Sequence, residues 1–526
     1  MTTSLAPSAL ARDDNSIYRA LSELDKPVFV VRDDADVAVT TDAGTARGKQ
    51  VLAAAPALRP ETLGNNEFRQ THGVGYAYHA GAMANGIASA AMVVAMARAG
   101  LLASFGAAGV LPARIDEALA TIGREAPGKP FACNLIHSPS ENALERAIVD
   151  ACLRHEVRCV EASAFLDLTP QVVRYRLAGL HRDPNGQVVA RNRLIAKVSR
   201  AEVAELFLRP APQHLVRGLL DAGEITAEQA ELAASIPMAD DITGEADSGG
   251  HTDRRPLVVL LPSLLAVRER IQREYGYAQR VRVGAAGGIG TPAAAAAAFA
   301  MGASYVVTGS VNQATVEAAQ SETAKRLLAA AGVADTTMAP SSDMFELGVD
   351  VQVLQRGTMF ASRARRLYDT YRRYDGIDAI PTAERAEIEQ KILARSLDEV
   401  WNDCLGYFRE RDPEQIERAE GNPKRRMALI FRWYLGRSSG WSTAATPDRT
   451  LDYQIWCGPA MGAFNDWVAG TYLAAPAHRH VAEVGLQIMH GAAFATRVSQ
   501  LRAAGVRLPG RCSTYVPAPL TSIESR

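Results

Sequence analysis

The chain has 526 residues, 48% hydrophobic and 22% charged, with a formal net charge of −1. That length exceeds one ordinary domain and that balance belongs to a globular protein, while the near-neutral charge gives no argument for nucleic acid or a membrane surface. The start of the chain lacks the basic and apolar segments of a signal peptide, Met83–Ala99 is too rich in Ala and Gly for a membrane span, and six scattered cysteines without a CxxC pair point to reduced thiols in a cytoplasm.

In chain order, residues 1–65 mix polar stretches with one short strand candidate, Pro27–Val31, and an Ala- and Gly-rich 37–57. They read as an N-terminal arm or small cap. From about residue 70, short β-like runs alternate with helical ones. The strand candidates are Gly75–Ala82, Leu101–Phe105, Phe131–Ile136, Arg158–Ala162, Leu194–Val198, Ile236–Ile242, Arg280–Ala285 and Ser304–Thr308. Helices are expected over Gly86–Arg98, roughly 141–154, from near Ala201, over about 263–275, and after Thr291-Pro292, an N-cap with Pro at the first helical position. Alternating β and α argues for a parallel sheet, and about eight repeats in this length argue for an α/β fold closed as a (β/α)8 TIM barrel over 66–335. A doubly wound open sheet is the alternative. From about 340 strand signals almost vanish. Ala383–Glu399 and Val481–Ala503 show helical spacing, and all five tryptophans (401, 433, 441, 456, 467) lie here. Residues 336–526 read as a mostly helical C-terminal region.

Several stretches carry chemistry. Asp240–Thr252 packs acids, Gly249-Gly250 and His251 into thirteen positions after the sixth strand candidate. Adjacent glycines suit a loop whose backbone approaches a ligand, and histidine exchanges protons near neutral pH. Gly284–Gly290 (GAAGGIG) follows a strong strand and precedes a capped helix; Thr308-Gly309-Ser310 follows the next strand. Such a pair of loops after strands seven and eight is where barrels commonly hold phosphate, against the plainer reading of two tight βα turns. Asn134 sits in an apolar strand, placed to hydrogen-bond a ring edge or to cap a turn. Lys197, inside LIAKV, is costly to bury unpaired and either reaches the barrel mouth or snorkels from an edge. Gly436–Gly440 is a formal GxSxG, but a helix precedes it, so a nucleophile elbow is not expected. Lys424, Arg425 and Arg426, with Arg432 and Arg437, form a basic run: a solvated helix face, or a dock for an acidic partner. His478 and His480 lack ligand partners, and neither HExxH nor Walker A occurs, so no metal is expected.

The long motifs 79–109, FACNLIHSP (131–139), TGEADSGGHTD (243–253), VGAAGGIGTP (283–292), VVTGSVNQAT (306–315), 356–375 and 452–468 together resemble the trans-acting enoyl reductases of bacterial polyketide and polyunsaturated fatty-acid synthases, FMN-dependent TIM barrels in the nitronate monooxygenase-like superfamily. The resemblance covers roughly 70–526. It implies FMN at the C-terminal mouth of the barrel, with its phosphate on Gly287, Gly288, Gly309 and Ser310, Ala82 and Met83 against the isoalloxazine, and Asn134 and Lys197 in contact with it. Where the wider superfamily reads Glu-Ala-Gly-Gly-His, this chain has Asp247-Ser248-Gly249-Gly250-His251. The match carries over the two glycines and His251, the implied proton donor, but not the first acid. NADPH or NADH is the implied reductant, an acyl-carrier protein the implied partner, and Lys424, Arg425 and Arg426 its candidate dock. A homodimer through the Trp-rich region is a further expectation. Three competing readings stay open: a nitronate monooxygenase-like flavin oxidase, a phosphate-binding barrel isomerase or synthase without flavin, and a synthase subunit without turnover.

Overall fold

The structure, a computed structural model, describes residues 10–137 and 142–520. Eight parallel strands close into a barrel: β1 (Tyr78–Ala80), β2 (Leu102–Phe105), β3 (Ala132–Ile136), β4 (Cys159–Ser163), β5 (Arg193–Val198), β6 (Asp241–Glu245), β7 (Arg282–Ala286) and β8 (Val306–Thr308). Neighbours in sequence are neighbours in space, and β8 returns to β1 with Val306 opposite Tyr78. Each strand overlaps one of the eight expected runs. The strands are buried on both faces because helices pack outside and side chains fill the inside, so they read as apolar runs.

Helix boundaries follow local chemistry. Thr291 accepts a hydrogen bond from the Ala294 amide and caps Pro292–Ala300 as expected. The helix expected over 263–275 instead runs Leu257–Tyr275 and passes through Pro262. Proline there sits in the second turn, where it removes one backbone bond without ending the helix.

Three expectations need correction. The N-terminal arm is a folded unit. Val28–Asp33 pairs antiparallel with both Asp36–Thr40 and Gln50–Ala55, so two strands fall in the stretch that reads as patternless. Pairing on both sides of the central strand overrides the low strand propensity of QVLAAA. Second, the C-terminal region is mostly helical, as expected, but also carries a small sheet. Thr336–Pro340 and Asp350–Leu354 pair, and Gly250–His251 adds to the second of them. Third, Ala383–Glu399 is not one helix. Helical turns end at Leu393, Ala394 has a φ of 52°, and a new helix, Leu397–Arg411, starts at a capping box on Ser396.

At the bottom of the barrel Asp241, the first residue of β6, is fully buried. It accepts from Arg282 Nε and Nη2 at 2.6 and 2.9 Å and pairs with His72 Nε2 at 2.8 Å. Asp241 is thus a structural acid of the strand, away from the mouth of the barrel. The last long helix, Val481–Ala503, packs on Pro292–Ala300, where a Cβ at Gly491 would stand 2.4 Å from the Pro292 ring. Its buried Arg497 donates to the carbonyls of Leu21, Glu23, Leu24, Lys26 and Pro56. Among the described residues no helix is long and apolar enough to cross a membrane. The six cysteines are buried and unbridged.

Candidate active site

A cavity of about 930 Å³ opens at the C-terminal mouth of the barrel. Ala82, Met83, Asn134, Lys197, Gly249, Gly250, His251, Gly287, Gly288, Gly309 and Ser310 all line it. They come from β3 and β5 and from the loops after β1, β6, β7 and β8, which is how a barrel converges residues from distant sequence.

The glycines differ in what they do. Gly287 has a φ of 80°, and a Cβ there would lie 2.6 Å from the carbonyl carbon of Ala246. This is a packing requirement between the loops after β6 and β7. Gly288 has a φ of 75° and Gly309 a negative φ, and neither would bring a Cβ within 4 Å of another atom. Those two border open space. A Cβ at Gly249 would meet the backbone of Cys457 at 2.8 Å, and one at Gly290 the carbonyl of Ala460 at 2.3 Å. The segment Trp456–Ala460 of the C-terminal region therefore presses on the loops after β6 and β7. It reaches the loop after β8 as well, since the Gly458 amide donates to Ser310 Oγ at 2.9 Å. That leaves the Ser310 hydroxyl hydrogen to donate elsewhere.

Lys197 is neither an edge residue nor unpaired. Its Nζ lies 3.2 Å from Glu245 Oε1 and 3.7 Å from Glu161 Oε1. Burial lowers its pKa, but the charges of Glu245 and Glu161 outweigh burial and raise it, so it is a permanent cation facing the cavity. Burial pushes Glu161 up, and Lys197 and His79 overcome this and hold it below the usual carboxylate range. Burial drives His79 down to about 4; its Nε2 lies 2.8 Å from Ser104 Oγ. Asn134 spends both amide hydrogens inside the protein, on Glu161 O at 3.0 Å and Ser163 Oγ at 2.9 Å. Only its Oδ1, an acceptor, remains for a ligand.

His251 is held by groups that the local sequence does not announce. Ser341 Oγ donates to Asp343, so it must accept from His251 Nε2–H, 3.2 Å away. Asp343 Oδ1 is also 3.2 Å from that nitrogen. Burial lowers the His251 pKa, but Asp343 more than compensates and raises it above the ordinary value. With Nε2 engaged, Nδ1 is the nitrogen left to exchange a proton. Asp247 accepts from Gln352 Nε2 at 2.9 Å, and Ser248 Oγ donates to Glu245 Oε1 at 3.1 Å. The acid at that place fastens the loop to the C-terminal sheet. The backbone does the same: Gly250 and His251 stand opposite Gln352 and Val351.

The basic run is not an open docking face. Lys424 Nζ donates to the carbonyls of Tyr371 and Tyr374 and lies over the Tyr371 ring. Arg425 and Arg432 bind Glu346, and Arg426 reaches Asp398 over Trp401. These contacts hold the helix Pro423–Thr443 to its neighbours and use the charges that a partner would need. GxSxG lies inside that helix; Ser438 is buried and donates to Tyr434 O at 2.7 Å, so no nucleophile elbow exists here. Glu161 was within reach of sequence reasoning, since RCVEA places a charge inside an apolar strand as LIAKV does. Ser341 and Asp343 carry no such local signal.

Comparison with known proteins gives matches over nearly the whole chain. Residues 6–57 match a family model described as the N-terminal domain of fatty acid synthase subunit PfaD, and 374–453 match the inserted helical domain of acyl-carrier-protein S-malonyltransferase. A polyunsaturated fatty acid synthase subunit of Thraustochytrium sp. is 48% identical over 92% of this chain, which spans 32% of that protein. Polyketide biosynthesis protein PksE of Bacillus subtilis is 47% identical over 82% of this chain, which spans 56% of it. The chain thus covers a part of each of these curated relatives. Among solved structures, the enoyl reductase domain of MlnA, from the macrolactin biosynthesis cluster of Bacillus amyloliquefaciens, superposes with a TM-score of 0.79 at 39% identity, over 84% of this chain and 98% of that domain.

Proposed function

The chain belongs to the enoyl reductases of polyketide and polyunsaturated fatty-acid synthases, and from that premise we propose that it reduces the α,β-double bond of an acyl thioester carried on an acyl-carrier protein, with FMN as cofactor and NADPH or NADH as reductant. The observation that carries the reading is the convergence on one barrel mouth of a permanent cation, a held histidine and two glycines bordering open space. The residues fit the cofactor. Gly287, Gly288, Gly309 and Ser310 would hold its phosphate, with the Ser310 hydroxyl free to donate. Asn134 Oδ1 would accept from a ring N–H, and Lys197 would face the electron-rich edge. Ala82 and Met83 would border the ring. Bound there, FMN supplies hydride transfer between the nicotinamide and the β-carbon of the enoyl group.

The protein's own residues do the rest. His251 delivers a proton from Nδ1 to the α-carbon as the double bond is saturated. Asp343 and Ser341 keep its ring oriented and charged. We take residues 66–335 as the catalytic barrel, 336–526 as the helical C-terminal region, whose described part roofs the barrel, and 1–65 as an N-terminal cap, folded over its described residues 10–65. Anaerobic mixing of the flavin-loaded protein with NADPH, followed by an enoyl thioester, tests the proposal. Bleaching and then recovery of the flavin band with one equivalent of saturated thioester is expected. Recovery only on admission of O2 would instead mark an oxidase, and no bleaching would mark a subunit without turnover.

A further inference from the structure

We propose that Arg437 contacts the phosphate of a pantetheine arm at the mouth of the cavity; this rests on the enoyl thioester reading above. Of the five cations in the run 424–437, four are held by internal partners. Arg437, exposed on the same helix, has no hydrogen bond or ion pair among the described residues, and it lines the cavity. The less exposed charged groups there are engaged: Lys197 with Glu245 and Glu161, His251 with Asp343, Arg432 with Glu346 and Asp247 with Gln352; Arg114 makes an exposed pair with Glu117 at 3.5 Å. An unengaged cation at the rim leaves a local positive charge for an anionic group to meet.

The helix Pro423–Thr443 brings that charge over the site. Ser439 Oγ accepts from Asn85 Nδ2 at 3.0 Å, on the loop after β1. A Cβ at Gly436 would lie 3.3 Å from Ser342 Oγ, beside the serine that holds His251. Gly436 and Gly440 flank Arg437 without side chains. Trp433 and Trp441, edge to face with ring centroids 5.8 Å apart, give the same helix an apolar surface on the cavity. Cation, bare backbone and apolar wall together suit an arm that is phosphorylated at one end and largely uncharged along its length. The phosphate joins such an arm to its carrier, so it stays at the mouth when the thioester enters. The helix also lies in the segment, 374–453, that matches a domain of an acyl-carrier-protein transferase. This favours the carrier arm over the other phosphate source, the dinucleotide.

The test compares Arg437→Ala with the wild type, both flavin-loaded, on one enoyl group carried by coenzyme A or by N-acetylcysteamine, which has no phosphate. The KM for the coenzyme A thioester should rise about tenfold, as for loss of one charge-assisted hydrogen bond. The KM values for the N-acetylcysteamine thioester and for NADPH should not move, and Arg437→Lys should recover part of the loss. Tryptophan fluorescence titrations with phosphopantetheine and pantetheine should show the wild type preferring the phosphorylated arm and Arg437→Ala binding both alike. An unchanged KM for the coenzyme A thioester, or an equal rise for both thioesters, overturns the assignment. A rise confined to NADPH assigns the phosphate to the dinucleotide and overturns it too. If the wild type reduces neither thioester, the enoyl reductase reading falls, and the phosphopantetheine preference decides Arg437 by itself.

Discussion

The carboxylate of Asp343 lies 3.2 Å from Nε2 of His251, and the two belong to different units of the chain. The histidine follows a barrel strand, and the aspartate lies in the loop between the two strands of the C-terminal sheet that pairs with it. Burial works against protonation of His251, and Asp343 reverses that. If the protonated imidazole is the acid, turnover falls as pH rises through its pKa. Asp343→Asn should therefore move the alkaline limb of the kcat profile to lower pH while flavin binding is kept. A limb that stays in place would assign it to another group.

His251→Ala should keep the flavin and its reduction by NADPH, and should lower alkene reduction by about 10²- to 10⁴-fold, the usual contribution of a positioned general acid. Stopped-flow separation of the two half-reactions checks this. Retained alkene reduction would move the proton to water or another side chain.

Gly309→Leu and Gly287→Ala should part company. A Cβ at Gly309 would meet no atom within 4 Å and would point into the open cavity, so the fold should tolerate the substitution while flavin occupancy drops. At Gly287 even a methyl group meets the Ala246 backbone at 2.6 Å in a left-handed conformation, so the fold itself should lose about 1–3 kcal/mol. Thermal melts paired with flavin absorbance distinguish the two.

Lys197→Met should cost about 3–5 kcal/mol in chemical denaturation, because it leaves the Glu161 and Glu245 carboxylates without their shared cation. Adding Glu161→Gln should restore part of that. A double variant no better than the single one would mean that Lys197 does not support Glu161.

His79 gives a pH dependence of stability. Its folded pKa is lowered to about 4 from an ordinary 6.5, so the unfolded chain binds the extra proton first as pH falls. The contribution is present above pH 6.5 and is lost as pH falls from there towards 4. His79→Gln should flatten the denaturation midpoint across that window.

What the sequence made legible follows from how each feature is encoded. Parallel strands are local apolar runs, so the eight barrel windows stand out. The loops after β6 and β7 carry glycines that close approach or left-handed backbone explains. The strand DVQVL, which pairs with His251, is short, alternates, and is stabilised by partners from distant sequence. Asp343 is an ordinary loop aspartate until the chain folds. The basic run misled because charge on a helix is visible in sequence, whereas the Glu346 and Tyr371 partners that consume it are not.

Arg497 has a consequence for the order of events during synthesis. The carbonyls it gathers, from Leu21 to Pro56, leave the ribosome more than 440 residues before its guanidinium does. At ordinary elongation rates that interval is on the order of a minute. The N-terminal sheet is made early but gains this anchor late, so throughout barrel translation these carbonyls are met by water in place of the guanidinium. A released chain truncated before Val481 should therefore expose this sheet to protease, and one extending through Leu520 should protect it.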